Sequence, residues 1–425
     1  MKVLVLGSGG REHALCWSIS KSPLCEKLYC IPGNAGIKKD AECIDLKINN
    51  INSLKNFIKK KNIDFVVVGP EEPLVNGIVD KLNKLKIKVF GPNKKAAILE
   101  SSKSFTKDFC KRNNIPTANY KKFKNYKLAN NYIKITNYPL VIKASGLAGG
   151  KGVFIVKNKL EANKVINDLM VKKKLGSSGK EIIIEDYLIG EEISCLALVD
   201  GKNYSPLLLS QDHKKIYENN KGPNTGGMGA YCPLPYLKSN IQKKINKEVI
   251  EPTIKAMNKE KRVFNGVLYA GLMLVKEKIY LIEYNVRFGD PECQPLIFLL
   301  KSDLLNILNN CVNKKLDKIK IKWKKEYAVS VVIVNKGYPD KFKKNNIIKN
   351  LNLVIEDKDV KIFHSGTTLD NQNNIIASGG RVLTVTAKDK IFNNAKRKVY
   401  KIVKKIKWKN CFFRKDIGFR AKRIK

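Results

Sequence analysis

Glu283, Asn285 and Arg287 stand in the run Ile282-Glu283-Tyr284-Asn285-Val286-Arg287-Phe288-Gly289-Asp290-Pro291-Glu292. With the two-residue period of a strand, all three face one side. An acid, an amide and a guanidinium gathered beside apolar Leu281 are costly to bury without ligands. Oxygen donors at Glu283 and Asn285 suit Mg²⁺. Arg287 suits a carboxylate or a phosphoryl group. The plain alternative is an exposed edge strand laced with ion pairs.

Two glycine-rich loops point to phosphate chemistry. Gly7-Ser8-Gly9-Gly10-Arg11-Glu12-His13 follows a strand and opens a helix. Backbone N–H groups in that position hold anions. It is a poor dinucleotide fingerprint, because the third glycine would fall at Glu12 and no ribose-binding acid follows the next strand. A single phosphate, helped by Arg11, is the better reading; a tight turn with Arg11 on the surface is the alternative. Lys143-Ala144-Ser145-Gly146-Leu147-Ala148-Gly149-Gly150-Lys151-Gly152 fails as a P-loop: Gly152 stands where Ser or Thr should be, and a strand follows. A Gly-rich hairpin that folds over phosphates fits better, with Lys143 reaching the α- and β-phosphates. Four glycines within seven residues are expensive in backbone entropy for an ordinary hairpin. After the apolar run Glu181–Glu185, an exposed backbone segment can offer adenine an N–H and a C=O, and a carboxylate soon after can take ribose hydroxyls.

These residues need a scaffold. Lys2–Leu6, Lys27–Ile31, Ile63–Val68 and Lys86–Phe90 read as strands, separated by helix-period segments such as Ile51–Lys61. That alternation predicts a doubly wound parallel sheet with its ligands beyond the strand carboxyl ends. A helix is expected over about Ser101–Asn113, then strands at Leu140–Ala144, Val153–Val156, Glu181–Glu185 and Glu192–Val199. Leu268–Val275 and Lys278–Tyr284 form a hairpin around Lys276-Glu277. One helix is expected from Pro295 to about Asn313, a strand at Ala328–Val334 and a helix near Lys390–Lys405.

The chain has 425 residues and 43% hydrophobic content, enough for several domains with ordinary cores. No run approaches the ~18 apolar residues of a membrane helix, and, with Met1–Gly7 reading as a buried strand, the mature fold is expected to start at Met1. Lys plus Arg is 82 against 38 Asp plus Glu, a net charge of +44. Such a charge suits a polyanion binder. The lysines, however, are spread along nearly the whole chain among abundant Asn and Ile, as A/T-rich codon usage alone would produce. No specific nucleic-acid partner is therefore expected. Ten cysteines show no C-x-x-C pair and only three histidines accompany them, so a structural zinc site is not expected and reduced thiols in a cytosol are.

Gly7–Leu15, Gly69–Val75, Gly146–Val153, Gln211-Asp212-His213-Lys214, Gly222-Pro223-Asn224-Thr225-Gly226-Gly227-Met228-Gly229-Ala230-Tyr231 and Arg287–Gln294 together resemble the phosphoribosylamine–glycine ligase family of the ATP-grasp superfamily. The resemblance runs from Met1 to Arg414-Lys415-Asp416-Ile417-Gly418. It implies an α/β and α+β multidomain protein: an N-terminal doubly wound parallel sheet that binds phosphoribosylamine (1–100), a connecting helix (101–120), small (121–188) and large (189–325) ATP-grasp lobes, and a β-rich C-terminal cap (326–425). It implies ATP and Mg²⁺ (or Mn²⁺), glycine and 5-phosphoribosylamine as substrates, glycyl phosphate as intermediate, and a cytoplasmic monomer acting in purine synthesis.

By the same resemblance, Lys103 and Lys143 contact phosphates, and Gly149, Gly150, Lys151 and Gly152 belong to the lid. Glu185 and Leu188 flank the adenine, and Glu192 holds the ribose. Glu283 and Asn285 bind the metal, and Arg287 binds the glycine carboxylate or acyl phosphate. Gly9, Gly10, Arg11, Asn34 and Glu71 line the phosphoribosylamine site, Arg381 closes it from the cap, and Asp212 joins Arg287 and Lys143 as a catalytic candidate. Two departures stand out. Tyr269-Ala270-Gly271-Leu272 lacks the second metal acid of many ATP-grasp enzymes, so Asn285 must serve. Ile216-Tyr217-Glu218-Asn219-Asn220 replaces an acidic, Gly-containing turn. A ligase of the same chemistry with other substrates, and a basic binding protein on an enzyme scaffold, are the competing readings; the second predicts damaged catalytic positions, yet Lys143, Glu283, Asn285 and Arg287 all stand.

Overall fold

The computed structural model describes residues 1–238 and 240–423. Short Val-, Ile- and Leu-rich runs become parallel strands because both faces of such a sheet are buried. The order across the sheet is Glu42–Cys43, Lys27–Pro32, Lys2–Gly7, Phe65–Val68, Lys88–Phe90. Neighbours extend to either side of Lys2–Gly7, so a crevice opens at its carboxyl end. The helix Ile51–Lys61 starts at Asn50, whose side chain accepts the Ser53 N–H at 3.2 Å, and stops where Asn62 turns left-handed at φ 53°.

Two antiparallel sheets follow. Tyr120–Phe123, Ile182–Asp186, Leu140–Ala144 and Val153–Val156 form the first, in that order. Tyr204–Pro206, Glu191–Asp200, Asn265–Val275 and Lys278–Asn285 form the second. In the C-terminal sheet the order is Gln211–Asp212, Gly229–Cys232, Tyr327–Asn335, Arg381–Asp389, Val360–His364. Its first two strands come from the stretch assigned by sequence to the large lobe. The Gly-rich run between them is thereby anchored on the cap. Among the described residues no helix is long and apolar enough to cross a membrane.

One expected element is corrected. Pro295–Asn313 is not a single helix but two, Cys293–Leu299 and Leu304–Val312. Leu300 is extended at ψ 129°, and the Asp303 carboxylate accepts the Asn306 N–H at 3.2 Å. A side chain that caps a new helix overrides the continuous apolar period.

All three histidines are buried and serve as seams. His13 Nδ1 accepts the His364 N–H at 2.7 Å, and His213 Nε2 accepts the Gly418 N–H at 3.0 Å. Both acceptors require neutral imidazoles. Burial lowers all three pKa values, with the Arg414 and Arg420 charges helping to hold His213 at about 3. Unfolded histidines take protons below about pH 6.5 while the folded ones resist, so stability falls as pH drops from there. Each resisting imidazole contributes a slope of up to about 1.4 kcal/mol per pH unit. Urea unfolding at pH 8, 6 and 5 is expected to show a progressively lower midpoint; a midpoint constant over that range would contradict the assignment.

Candidate active site

The strand Lys278–Asn285 lays out the chemistry. Opposite it, the register slips between Gly271 and Leu272, so Gly271 faces Glu283 and Leu272 faces Leu281. Ile282 is the extra residue, and its freed carbonyl accepts from Lys143 Nζ at 3.2 Å. Beyond the bulge Tyr284, Val286 and Phe288 are buried, while Glu283, Asn285 and Arg287 alternate with them on the open side.

Glu283 sits among cations. Its carboxylate is 3.5 Å from Lys214 Nζ. Burial alone would raise its pKa, but Lys214, Lys103, Lys143 and Arg287 outweigh that and hold it at about 2. Burial would lower the Lys214 pKa, but Glu192 at 3.8 Å and Glu283, with Asp212 and Glu292 behind them, outweigh it and raise it. Lys103 Nζ lies 3.4 Å from the Gly146 carbonyl. Lys143 Nζ is 3.0 Å from Glu185 Oε2.

Arg287 is held by two carboxylates from distant parts of the chain. Its Nε is 3.1 Å from Glu71 Oε2 and its Nη2 3.0 Å from Glu100 Oε1. Nη2 also donates to Asn285 Oδ1 at 3.3 Å. Burial pushes the Glu100 carboxyl up despite Arg287. At Glu71 burial is overcome by Arg287 and Arg11, and the pKa falls. Asp212 is buried, and desolvation with the Glu292 charge raises its pKa well above the usual range. Glu292 itself accepts from Tyr269 and Ser194 hydroxyls.

The first loop is more closed than its glycines suggest. Glu12 caps its own helix: Oε2 accepts the Gly9 N–H at 2.6 Å and Oε1 the Arg11 Nε–H at 2.6 Å. Arg11, buried, spends its Nη1 on the Phe288 carbonyl at 3.1 Å. Gly10 is crowded: an added Cβ would lie 2.6 Å from Gln294 Nε2 and 2.8 Å from Ser365 Oγ, so those side chains would have to shift. Asn34 is fully engaged: it donates to the Ser8 and His364 carbonyls and accepts from the Gly36 and Ile37 N–H groups. Arg381 bonds the Gly226 carbonyl at 2.8 Å and pairs with Asp290 at 3.2 Å, joining cap, Gly-rich run and the turn after Arg287.

The second loop is open. Gly149 and Gly150 have φ +54° and +78°; an added Cβ would meet nothing at the first and only the Thr225 carbonyl, at 3.6 Å, at the second. Lys151 is exposed and Leu188 half-buried. The structure thus gathers Lys103, Lys143, Lys151, Glu185 and Leu188 on the small sheet and its connections. Glu192, Glu283 and Asn285 come from the second antiparallel sheet, Asp212 from the C-terminal sheet, and Gly9, Gly10, Arg11, Asn34 and Glu71 from the parallel sheet and its connections. Sequence reasoning missed Glu100, Lys214 and Glu292 as members. Glu100 carried no local signal, because its partner Arg287 is remote in the chain.

A divalent cation fits this donor set on chemical grounds. Glu283 is ionised, Asn285 offers an amide oxygen two residues on, and Mg²⁺ characteristically takes one or two protein oxygens with substrate phosphates completing its shell. Among the described residues no cluster of three or more His, Cys, Asp or Glu forms a self-sufficient cage.

Residues 1–100 match the phosphoribosylglycinamide synthetase N domain, 101–293 its ATP-grasp (A) domain and 328–420 its C domain. A phosphoribosylamine–glycine ligase of Brucella melitensis is 46% identical over 99% of this chain and 98% of its own. The chloroplastic phosphoribosylamine–glycine ligase of Arabidopsis thaliana is 47% identical over 98% of this chain and 79% of its own. The crystal structure of the phosphoribosylamine–glycine ligase of Thermotoga maritima superposes with a TM-score of 0.87 at 32% identity, covering 98% of this chain and 100% of that one. A biotin carboxylase of Campylobacter jejuni shares the fold at TM-score 0.73 and 16% identity, covering 96% and 92%. The chain belongs to the phosphoribosylglycinamide synthetase family.

Proposed function

We propose that the chain ligates glycine to 5-phosphoribosylamine with ATP, giving glycinamide ribonucleotide, ADP and phosphate in purine synthesis. The observation that carries this reading is the single face of Glu283, Asn285 and Arg287, ringed by Lys103, Lys143 and Lys214. A carboxylate is a poor acylating agent and must be activated. Its oxygen attacks the γ-phosphorus, the bond to the β-phosphate oxygen breaks, and ADP leaves with glycyl phosphate formed. The amine of phosphoribosylamine then attacks the acyl carbon, its C–O bond to phosphate breaks, and the amine sheds a proton. In such transfers the protein mainly positions groups and neutralises charge.

In this reading the division is 1–100 for phosphoribosylamine, 101–120 connecting, 121–188 and 189–325 the nucleotide lobes and 326–425 the cap. Lys103 and Lys143 hold phosphates, Glu185 and Leu188 flank the base and Glu192 takes the ribose. Glu283 and Asn285 would hold Mg²⁺ or Mn²⁺, which when bound neutralises phosphate oxygens. Arg287 orients the glycine carboxylate, and Asp212 is a further catalytic group. Gly10 and Arg11 supply the sugar-phosphate site through backbone N–H groups, with Gly9, whose own N–H is held by Glu12, lining it, Asn34 and Glu71 shaping it and Arg381 closing it.

The reaction itself is the test. Purified protein with ATP, Mg²⁺, glycine and fresh phosphoribosylamine is expected to release ADP only when both co-substrates are present. ADP release with another amine would assign a sister ligase instead. Gly150→Val probes the lid. Space exists for the side chain, but φ +78° disfavours a β-branched residue by roughly 1–3 kcal/mol. KM for ATP is expected to rise several-fold while the melting temperature falls by only a few degrees; an unchanged KM would remove this loop from the nucleotide site.

A further inference from the structure

Lys107 has no part in the reading above, yet it is as buried as the phosphate lysine beside it. Lys107 and Lys143 side chains are each 3% exposed and Glu185 is 4%. Both ammonium groups lie 3.0 Å from the same oxygen, Glu185 Oε2, while Glu185 Oε1 is buried without a partner. Lys107 also donates to Thr117 Oγ1 at 2.6 Å, and Thr117 donates to the Leu281 carbonyl at 2.7 Å. Lys143 reaches the next carbonyl, Ile282, at 3.2 Å. Both lysines are thus tied to the strand that carries Glu283, and they share one counter-ion.

Charge counting gives this a consequence. One carboxylate between two ammonium groups leaves the trio at +1. Were Glu185 paired with Lys143 alone, the pair would be neutral and its attraction for a polyphosphate largely lost. We infer that Lys107 is a positioning residue for nucleoside triphosphate: by sharing Glu185 it keeps the Lys143 charge uncompensated and aimed at phosphate. The inference rests on the reading of Lys143 as a phosphate contact. Lys107 stays behind Glu185 and acts through it.

The distinguishing readout is dependence on phosphate charge. Lys107→Met removes the charge and keeps an apolar stem of similar length. ATP affinity, measured by calorimetry on the full-length chain, is expected to weaken about tenfold or more, the scale of one charged hydrogen bond. Adenosine affinity is expected to change less than twofold, and Lys107→Arg to recover most of the ATP affinity. The double variant Lys107→Met/Glu185→Gln restores +1 and is expected to bind ATP better than Lys107→Met alone. A packing role predicts equal losses for ATP and adenosine and a double variant worse than either single one; that pattern would overturn the inference. Lys143→Met separates the premises. If it binds ATP normally, the phosphate role of Lys143 fails. If it weakens ATP while Lys107→Met does not, only the sharing argument fails.

Discussion

Glu283→Gln loses roughly a thousandfold in kcat or more, while the protein stays folded. The amide keeps the shape of the side chain and removes its charge. A metal that neutralises phosphate oxygens supplies several kcal/mol of transition-state stabilisation, and about 4 kcal/mol corresponds to that factor. The competing effect is instability from cations left without their anion. It is the smaller here, because each neighbour keeps another partner. Lys214 retains Glu192 at 3.8 Å, Lys143 retains Glu185 at 3.0 Å, Lys103 the Gly146 carbonyl, and Arg287 both Glu71 and Glu100. Two measurements check this: glycine- and phosphoribosylamine-dependent ADP release, and Mn²⁺ binding in the presence of ADP followed by paramagnetic resonance. Wild-type turnover in the variant refutes the metal assignment. Normal Mn²⁺ affinity with lost turnover would move the metal elsewhere and leave Glu283 with another role.

Elements set by local pattern were readable, and those set by distant partners were not. Leu140–Ala144 and Val153–Val156 could be read to the residue, because two short β-rich runs, one opening after Pro139 and the other after Gly152, flank a Gly-rich turn. The hairpin of Asn265–Val275 and Lys278–Asn285 followed from alternation and a two-residue turn. The strands Gln211–Asp212 and Gly229–Cys232 have neither length nor alternation; the first pairs with the second, and the second with Tyr327–Asn335, about a hundred residues on. The site divides in the same way. Glu283, Asn285 and Arg287 share one face by period alone. That Glu12 turns back to fill the first loop, that Asn34 is consumed by four hydrogen bonds, and that Glu100 meets Arg287 depend on tertiary placement. Lys107 was hidden for a further reason. On a helix rich in lysine and arginine in a chain of net charge +44, one more lysine carries no information until its burial is known.

Arg287→Lys is the second large effect, with kcat/KM for glycine expected to fall roughly a hundredfold or more. Charge is preserved, so the loss isolates geometry. A guanidinium can satisfy Glu71 and Glu100 through separate N–H groups, reach the Phe288 carbonyl from Nη1 at 3.3 Å and still keep one Nη1 N–H for a carboxylate, whereas an ammonium has three donors around one point. At 3.1 and 3.0 Å the two acids already take two directions from Arg287, and Asn285 a third at 3.3 Å. Lysine in that position spends its donors on the acids and leaves the substrate unoriented, a loss on the scale of one preorganised donor, about 10²–10³ in rate. Arg287→Ala is a poorer probe. It leaves Glu100, a carboxyl already pushed up by burial, without its cation, and breaking a buried pair costs about 3–5 kcal/mol. The two variants are therefore expected to diverge: lysine folds and fails to turn over, alanine melts early. A lysine variant with unchanged KM and kcat for glycine would sink the carboxylate assignment, and the arginine would then serve only to join the parallel sheet, through Glu71, to the strand that bears the metal ligands.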